Sequence, residues 1–288
     1  MHNEENFSSF ACALEFIISH TYFFPEPNYL NCIQNDVNFT ESVRRTIIHA
    51  LLELGNAYEF PPSTCVLAIT YLERFLSCEP VQLANLQLFA SACFLIAAKV
   101  DEATCGYKCR LEDLAQLAGN SFEPLQLIEA ERIILNALDH RLLNVSLITL
   151  VDVLLGSIAS TSTILEFKLS ITDHQELLLS NLCYFLIELS ISEYNILAWH
   201  PCSVCISCIY VSCRILEMEE VEFIIKDCFD YLMAFIDVDF NPDVLLLNGH
   251  VYNLFLRSKS KGMVPNFLKD PVPGTVHEKD TQKGCRLM

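Results

Sequence analysis

The stretch Leu86-Gln87-Leu88-Phe89-Ala90-Ser91-Ala92-Cys93-Phe94-Leu95-Ile96-Ala97-Ala98-Lys99-Val100-Asp101-Glu102 decides the reading of this chain. A helix lying on a protein surface keeps a polar face, whereas this one is apolar nearly all round after Leu86, as expected of a helix surrounded by others. Residues from about Gln82 to Asp101 are therefore expected to form the core helix of an all-helical domain.

The flanking sequence supplies the neighbours. Val43, Ile47, Leu51 and Leu54 recur at helical spacing with Thr40 available as an N-cap, giving a helix from about Glu41 to Tyr58. Cys65, Ala68, Ile69, Leu72, Phe75 and Leu76 share a face of a second helix, which follows Pro61 and Pro62 and ends before Pro80. Beyond the core helix, Leu111 to Ala118 makes a short helix closed by Gly119. Ser121 and Pro124 open a longer one carrying Leu125, Ile128, Ile134, Leu135 and Leu138. After Arg141 the pattern begins again, with apolar helical stretches at Leu147–Ile158, Gln175–Ser190, Pro201–Glu217, Val221–Ile236 and Pro242–Leu256. Strand alternation is nowhere sustained. The fold expected is all-α, with two consecutive five-helix domains. Residues 1–38 form an N-terminal helix and lead-in, 39–143 the first domain, 144–256 the second, and 257–288 a basic flexible tail.

Composition narrows the function. The chain has 288 residues, of which 52% are hydrophobic, so disorder as the dominant state is excluded. Its 8 Gly form no dinucleotide or phosphate-loop pattern, and HExxH and GxSxG are absent, so the commonest enzyme signatures are missing. Two long uncharged windows, Pro80 to Ala98 and Tyr194 to Cys213, invite a membrane reading. The first carries Gln82, Asn85 and Gln87 at its start and the second is broken by Asn195, His200 and Pro201, so buried helices are the better reading. Met1 to Phe10 has acids and no basic flank, hence no secretory signal is visible and the protein is placed inside the cell.

In that reducing setting the 14 cysteines serve as small hydrophobes. Cys202, Cys205, Cys208 and Cys213 brush against iron-sulfur spacing, but they also fall on one helix, whose rise separates the thiols unsuitably for a cluster. Cys105 and Cys109 have no His near enough in sequence to complete a zinc site. No metal and no cofactor are expected. The charge is uneven: residues 1–256 hold 11 basic and 33 acidic residues, while 257–288 hold 7 and 3. An acidic body repels phosphate backbones, so nucleic acid is not an expected partner.

Particular residues then become recognisable. Val43-Arg44-Arg45-Thr46-Ile47-Ile48 through Leu51-Leu52-Glu53-Leu54, followed by Tyr71-Leu72-Glu73-Arg74-Phe75-Leu76-Ser77, resembles the opening of a cyclin box. Leu86-Gln87-Leu88 and Cys93 through Glu102 resemble the central helix of that family, with its lysine and acidic exit, and Glu131 and Leu135-Asn136-Ala137-Leu138 follow in family order. Upstream, Tyr29-Leu30-Asn31-Cys32-Ile33-Gln34-Asn35-Asp36 is similar to the segment leading into the box of D-type and mitotic cyclins. Tyr184 through Tyr194 and Trp199-His200-Pro201-Cys202-Ser203 resemble the start of a C-terminal cyclin fold. The resemblance covers about residues 14 to 255.

It implies a non-catalytic subunit that binds and activates a cyclin-dependent kinase in cell-cycle control, found in nucleus and cytoplasm. Lys99 and Glu131 match the family's kinase-binding lysine and glutamate, with Ile96, Val100, Leu135 and Leu142 as the apolar surface around them. Arg44 and Glu73 match an internal pair that ties the first two helices together. Many cyclins also dock basic-hydrophobic substrate or inhibitor peptides on a shallow patch, whose equivalents here include Val43, Ile47, Glu53, Leu86 and Gln87. Two positions depart from that pattern: Thr46 replaces an aliphatic residue and Ala50 a large aromatic, which removes a groove wall. Beside the kinase reading stand two others, a transcription-factor-type adaptor and a membrane-tethered scaffold on the same fold. The second comes from Cys285-Arg286-Leu287-Met288, which fits a C-a-a-X prenylation motif with Arg286 in place of an aliphatic residue. A basic tail would supply the second signal that a single lipid needs for lasting membrane attachment.

Overall fold

The structure, a computed structural model, describes residues 40–105, 110–142, 145–164, 171–218, 222 and 244–268. Helices α1 (Glu41–Ala57), α2 (Pro62–Cys78), α3 (Leu86–Cys105), α4 (Leu111–Leu117) and α5 (Pro124–Ala137) build the first domain. Helices α6 (Leu147–Ile164), α7 (Asp173–Ile191), α8 (Pro201–Ile215) and α9 (Val244–Ser260) belong to the second, and no strand occurs among the described residues. The N-terminal helix expected within residues 1–38 and most of the helix expected at Val221–Ile236 lie outside the described residues.

Local chemistry sets the helix ends. The Val43 amide donates to Thr40 Oγ1 at 3.4 Å, and Glu41 in the first turn faces the positive end of the α1 dipole. Pro62 occupies the first turn of α2, where its missing N–H costs nothing. Gly119 (φ +67°) and Asn120 (φ +54°) end α4 in left-handed conformation and turn the chain toward α5. Thr172 and Gln175 exchange hydrogen bonds at the start of α7: the Gln175 amide donates to Thr172 Oγ1 at 3.3 Å, and the Thr172 amide donates to Gln175 Oε1 at 3.1 Å.

Each domain is organised round one central helix. From Ala90 to Ala98 every residue of α3 is buried, enclosed by α1, α2 and α5. The window Leu83–Val100 has the length and composition of a membrane span, and this enclosure accounts for both. Phe94 meets Phe60 edge-to-face at 5.3 Å between centroids. A Cβ on Gly55 would fall 2.0 Å from Cys65 Sγ, so α1 and α2 approach at a separation only glycine permits. In the second domain α8 takes the central place between α6, α7 and α9, with Cys202 to Ile209 all buried.

Arg44 joins the two domains. It is 2% exposed; its Nε donates to Glu73 Oε1 at 3.0 Å, and Nη2 forms a very short contact with the same oxygen. Nη2 also donates to the Ile191 carbonyl at 2.9 Å, and Nη1 reaches the Ser192 carbonyl at 3.5 Å. The guanidinium therefore closes on α2 and on the carbonyl-bearing C-terminal end of α7, where a cation is favoured. Burial pushes the Glu73 carboxyl upward, and the Arg44 charge beside it opposes that shift. Nearby, Arg45 bridges Glu41 at 2.8 Å and Glu193 at 3.3 Å. The sequence marked the Arg44 and Glu73 pair as a tie between the first two helices; the carbonyls of the second domain are an addition.

At the far end α9 runs on to Ser260, with Arg257 and Lys259 in its last turn. Val264, Phe267 and Leu268 then pack against the core. The segment read from sequence as tail from residue 257 is thus structured as far as 268, because α9 keeps apolar residues at Leu254 and Phe255 against the bundle and gains from cations at its C-terminus. The remaining tail, with Cys285, lies outside the described residues.

Removing one partner of a buried pair leaves an uncompensated charge. Arg44→Ala is expected to cost about 3–5 kcal/mol, and Arg44→Met with Glu73→Leu to recover most of that loss, as read from urea unfolding midpoints. Glu188 on α7 offers a pH test, since burial pushes its carboxyl up to about 7. The folded state then holds this proton more tightly than the unfolded one, and stability falls as pH rises from about 4.5 to 7. Glu188→Gln should flatten that slope and stabilise the chain by about 3 kcal/mol at pH 8, which unfolding curves across pH will show.

Candidate functional site

Helix α3 leaves the core at Lys99. Residues up to Ala98 are buried, whereas Lys99 and Val100 are exposed. Lys99 Nζ donates to Glu131 Oε1 at 2.6 Å and to Oε2 at 2.7 Å, so the pair joins the end of the buried part of α3 to the middle of α5. The Lys99 side chain is 50% exposed and Glu131 15%. Lys99 is therefore open to solvent while Glu131 is mostly covered, and each holds the other in place.

The apolar surroundings divide. Val100 is 39% exposed, and Leu135 lies half-buried one turn beyond Glu131. Leu142 is also half-buried and is fixed from beneath: the Tyr71 hydroxyl donates to the Leu142 carbonyl at 2.7 Å, and Arg74 Nη1 donates to the Arg141 carbonyl at 2.8 Å. Ile96 must be corrected. At 2% exposure it is a core residue, because α3 is enclosed on every side at that level.

Leu125 and Ile128 on α5 lie outside its packed face. Leu125 is 77% exposed and Ile128 47%, and with Glu131 they form one stripe at intervals of three residues. The signal was present in the sequence: Leu127-Ile128 and Ile133-Ile134-Leu135 place adjacent apolar residues on a helix, and one buried face cannot take them all.

The docking-patch residues also separate. Val43 and Ile47 are half-buried, and Glu53 and Gln87 are exposed. Leu86, at 4% exposure, packs into the core beneath the surface and is not a contact residue. Gln87 is engaged within the chain, donating to the Ala118 carbonyl at 3.5 Å and accepting from Ser121 Oγ at 3.2 Å. Where α1, α3 and α4 meet there is a cavity of about 80 Å³, lined by Ile47, Ala50, Leu54, Gln87, Leu114 and Ala118 among others. Ala50 leaves this cleft without the aromatic wall that a docking groove needs.

The cysteine run on α8 lies along one buried helix. Cys202, Cys205, Cys208 and Cys213 are buried in the bundle, and burial pushes their thiols up, Cys202 to about 12, away from the thiolate that binds metal. Cys205 Sγ instead donates to the Leu147 carbonyl at 3.5 Å, which ties α8 to the start of α6. Among the described residues no group of three or more His, Cys, Asp or Glu is placed to hold a metal ion.

Two helical bundles with an exposed ion pair at a helix junction define a protein that presents a surface. Residues 13–143 match the family described as Cyclin, N-terminal domain. The first domain is thus similar to the N-terminal domain of cyclins. Cyclin-A1-2 of Oryza sativa subsp. japonica is 29% identical over 197 residues, which are 67% of this chain and 37% of that protein. This chain thus spans well under half the length of that relative. A viral cyclin from herpesvirus saimiri has the same fold, with a TM-score of 0.56 at 18% identity over 80% of this chain and 95% of that one. A chain of the yeast RNA polymerase II CTD kinase CTDK-1 complex overlays with a TM-score of 0.50 at 13% identity, covering 91% of this chain and 92% of the other.

Because the Lys99–Glu131 pair is exposed, it contributes little to folding. The Lys99→Ala, Glu131→Ala double variant is expected to unfold within about 1 kcal/mol of the wild type, as measured by urea denaturation followed by circular dichroism.

Proposed function

We propose that this chain is the non-catalytic regulatory subunit of a cyclin-dependent protein kinase, acting in the nucleus and cytoplasm in control of cell division. The observation that carries the reading is the Lys99–Glu131 pair standing exposed between α3 and α5 at the positions of the family's kinase contacts. The ammonium offers donors to backbone carbonyls and the carboxylate offers acceptors to backbone N–H groups. In the free chain they satisfy one another. Exchanging an exposed pair for partner backbone costs little, since such pairs are worth about 0–1 kcal/mol. Val100, Leu135 and Leu142 flank the pair with apolar surface, and burying that surface supplies most of the association energy.

On this reading the chemistry belongs to the kinase. The rigid α3 and α5 surface bears on the kinase's movable helix and presses it inward, completing the lysine-glutamate pair that phosphoryl transfer requires. Rigidity follows from the core beneath, where α3 is held by α1, α2 and α5. Peptide docking on α1 is the weaker part of the family's repertoire here, since Ala50 and the burial of Leu86 leave little to grip.

Affinity purification of wild type beside the Lys99→Ala, Glu131→Ala variant tests the proposal. A protein kinase active on histone should be recovered with wild type and fall at least tenfold with the variant, about 1.4 kcal/mol or more of binding. Recovery of no kinase with either protein, or equal recovery with both, would overturn it.

A further inference from the structure

A second cleft lies in the other domain, far along the chain from the Lys99–Glu131 pair. It opens where the C-terminal end of α8 meets the last turns of α9 and the segment after it, and its volume is about 390 Å³. That lies within the range of about 300–1,000 Å³ in which ligand pockets fall. Its walls mix apolar and charged side chains, with Ile215, Leu216, Phe255, Leu256 and Leu268 supplying the apolar part. Tyr252 and Leu256 are 42% and 43% exposed, so apolar surface is also offered to solvent.

Charge sets this cleft apart. Arg214 and Lys259 both line it, against a single carboxylate, Glu217. The ion pairs among the described residues involve Arg44, Arg45, Lys99 and Arg132, and neither Arg214 nor Lys259 enters one. On a chain of net charge −18, two cations without acidic partners beside one apolar cleft form a local reversal of sign. Such a reversal selects an anionic occupant.

The chain's own continuation does not meet that requirement. Beyond the cleft, residues 269–288 carry 4 basic and 3 acidic residues and so bring it no net negative charge. A nucleic acid meets the acidic body of the rest of the chain. The two cations beside apolar side chains fit a segment that carries both carboxylates and apolar residues. We propose that the α8–α9 cleft docks a short acidic and apolar peptide segment of a partner protein. Its apolar side chains fill the space over Phe255, Leu256 and Leu268, and its carboxylates meet Arg214 and Lys259. The site stands on the second domain alone and does not depend on the kinase reading.

A random dodecamer display library, selected on the full chain and counter-selected on an Arg214→Glu, Lys259→Glu variant, tests it. Enriched peptides should combine Asp or Glu with Leu, Ile or Phe. Synthesised with a fluorescent label and followed by anisotropy, they should bind the double variant and a separate Leu256→Asp variant at least tenfold more weakly than wild type. All three side chains are exposed, so the variants should melt with wild type. Several results would overturn the proposal: no enrichment, enriched peptides without acidic residues, or equal binding to the reversed-charge variant. Light scattering that shows wild type pairing with itself through this cleft, and the variants failing to pair, would overturn it too.

Discussion

The buried guanidinium of Arg44 is the constraint on which the rest of the architecture depends. One side chain on α1 satisfies Glu73 on α2 and the last carbonyls of α7, so three helices from two domains converge on a single planar group. A lysine could not replace it, because a point charge lacks the fork that reaches a carboxylate and two carbonyls at once. With α1 and α2 fixed in this way, and Gly55 letting them approach closely, α3 is clasped between neighbours over its whole apolar length. The exposed pair at the exit of α3 is then held where the core delivers it.

The two domains solve the same problem with different side chains. Both bury a central helix against its neighbours, and both leave ordinary surface groups at the ends. In the first, large residues such as Phe94, Leu95 and Ile96 fill the centre. In the second, α8 uses Cys and Ser, whose small volumes let the surrounding helices come near. Thiols and hydroxyls at these positions serve packing first. A spacing that resembles metal chemistry in one dimension is here a buried helix face packed against its neighbours.

Much of this was legible in the sequence, and the failures have physical reasons. Helix positions followed from apolar periodicity and from Thr40, Pro62, Pro124 and Gly119, since those residues act locally. Lys99 and Glu131 were found through resemblance, but that they bind each other was not, because their contact spans two helices. The same holds for the carbonyls on Arg44, which come from a distant helix end. Ile96 and Leu86 were misplaced on the surface because periodicity gives no phase on a helix that is apolar all round. Nor did periodicity say that Leu125 and Ile128 stay outside the core, since α5 has more apolar residues than its packed face can hold. The cations of the α8–α9 cleft lie too far apart in sequence for any spacing to join them.

The burial of the thiols has a consequence for handling the protein. Cys78 is exposed, whereas Cys65, Cys93, Cys183, Cys202, Cys205, Cys208 and Cys213 are enclosed in helical cores. A buried thiol that stays protonated reacts with alkylating reagents only when its surroundings open. Cys93 and Cys208, at the centres of the two bundles, therefore serve as internal clocks, one for each domain. The rate at which each acquires label measures how often its own bundle comes apart, without any probe added to the chain.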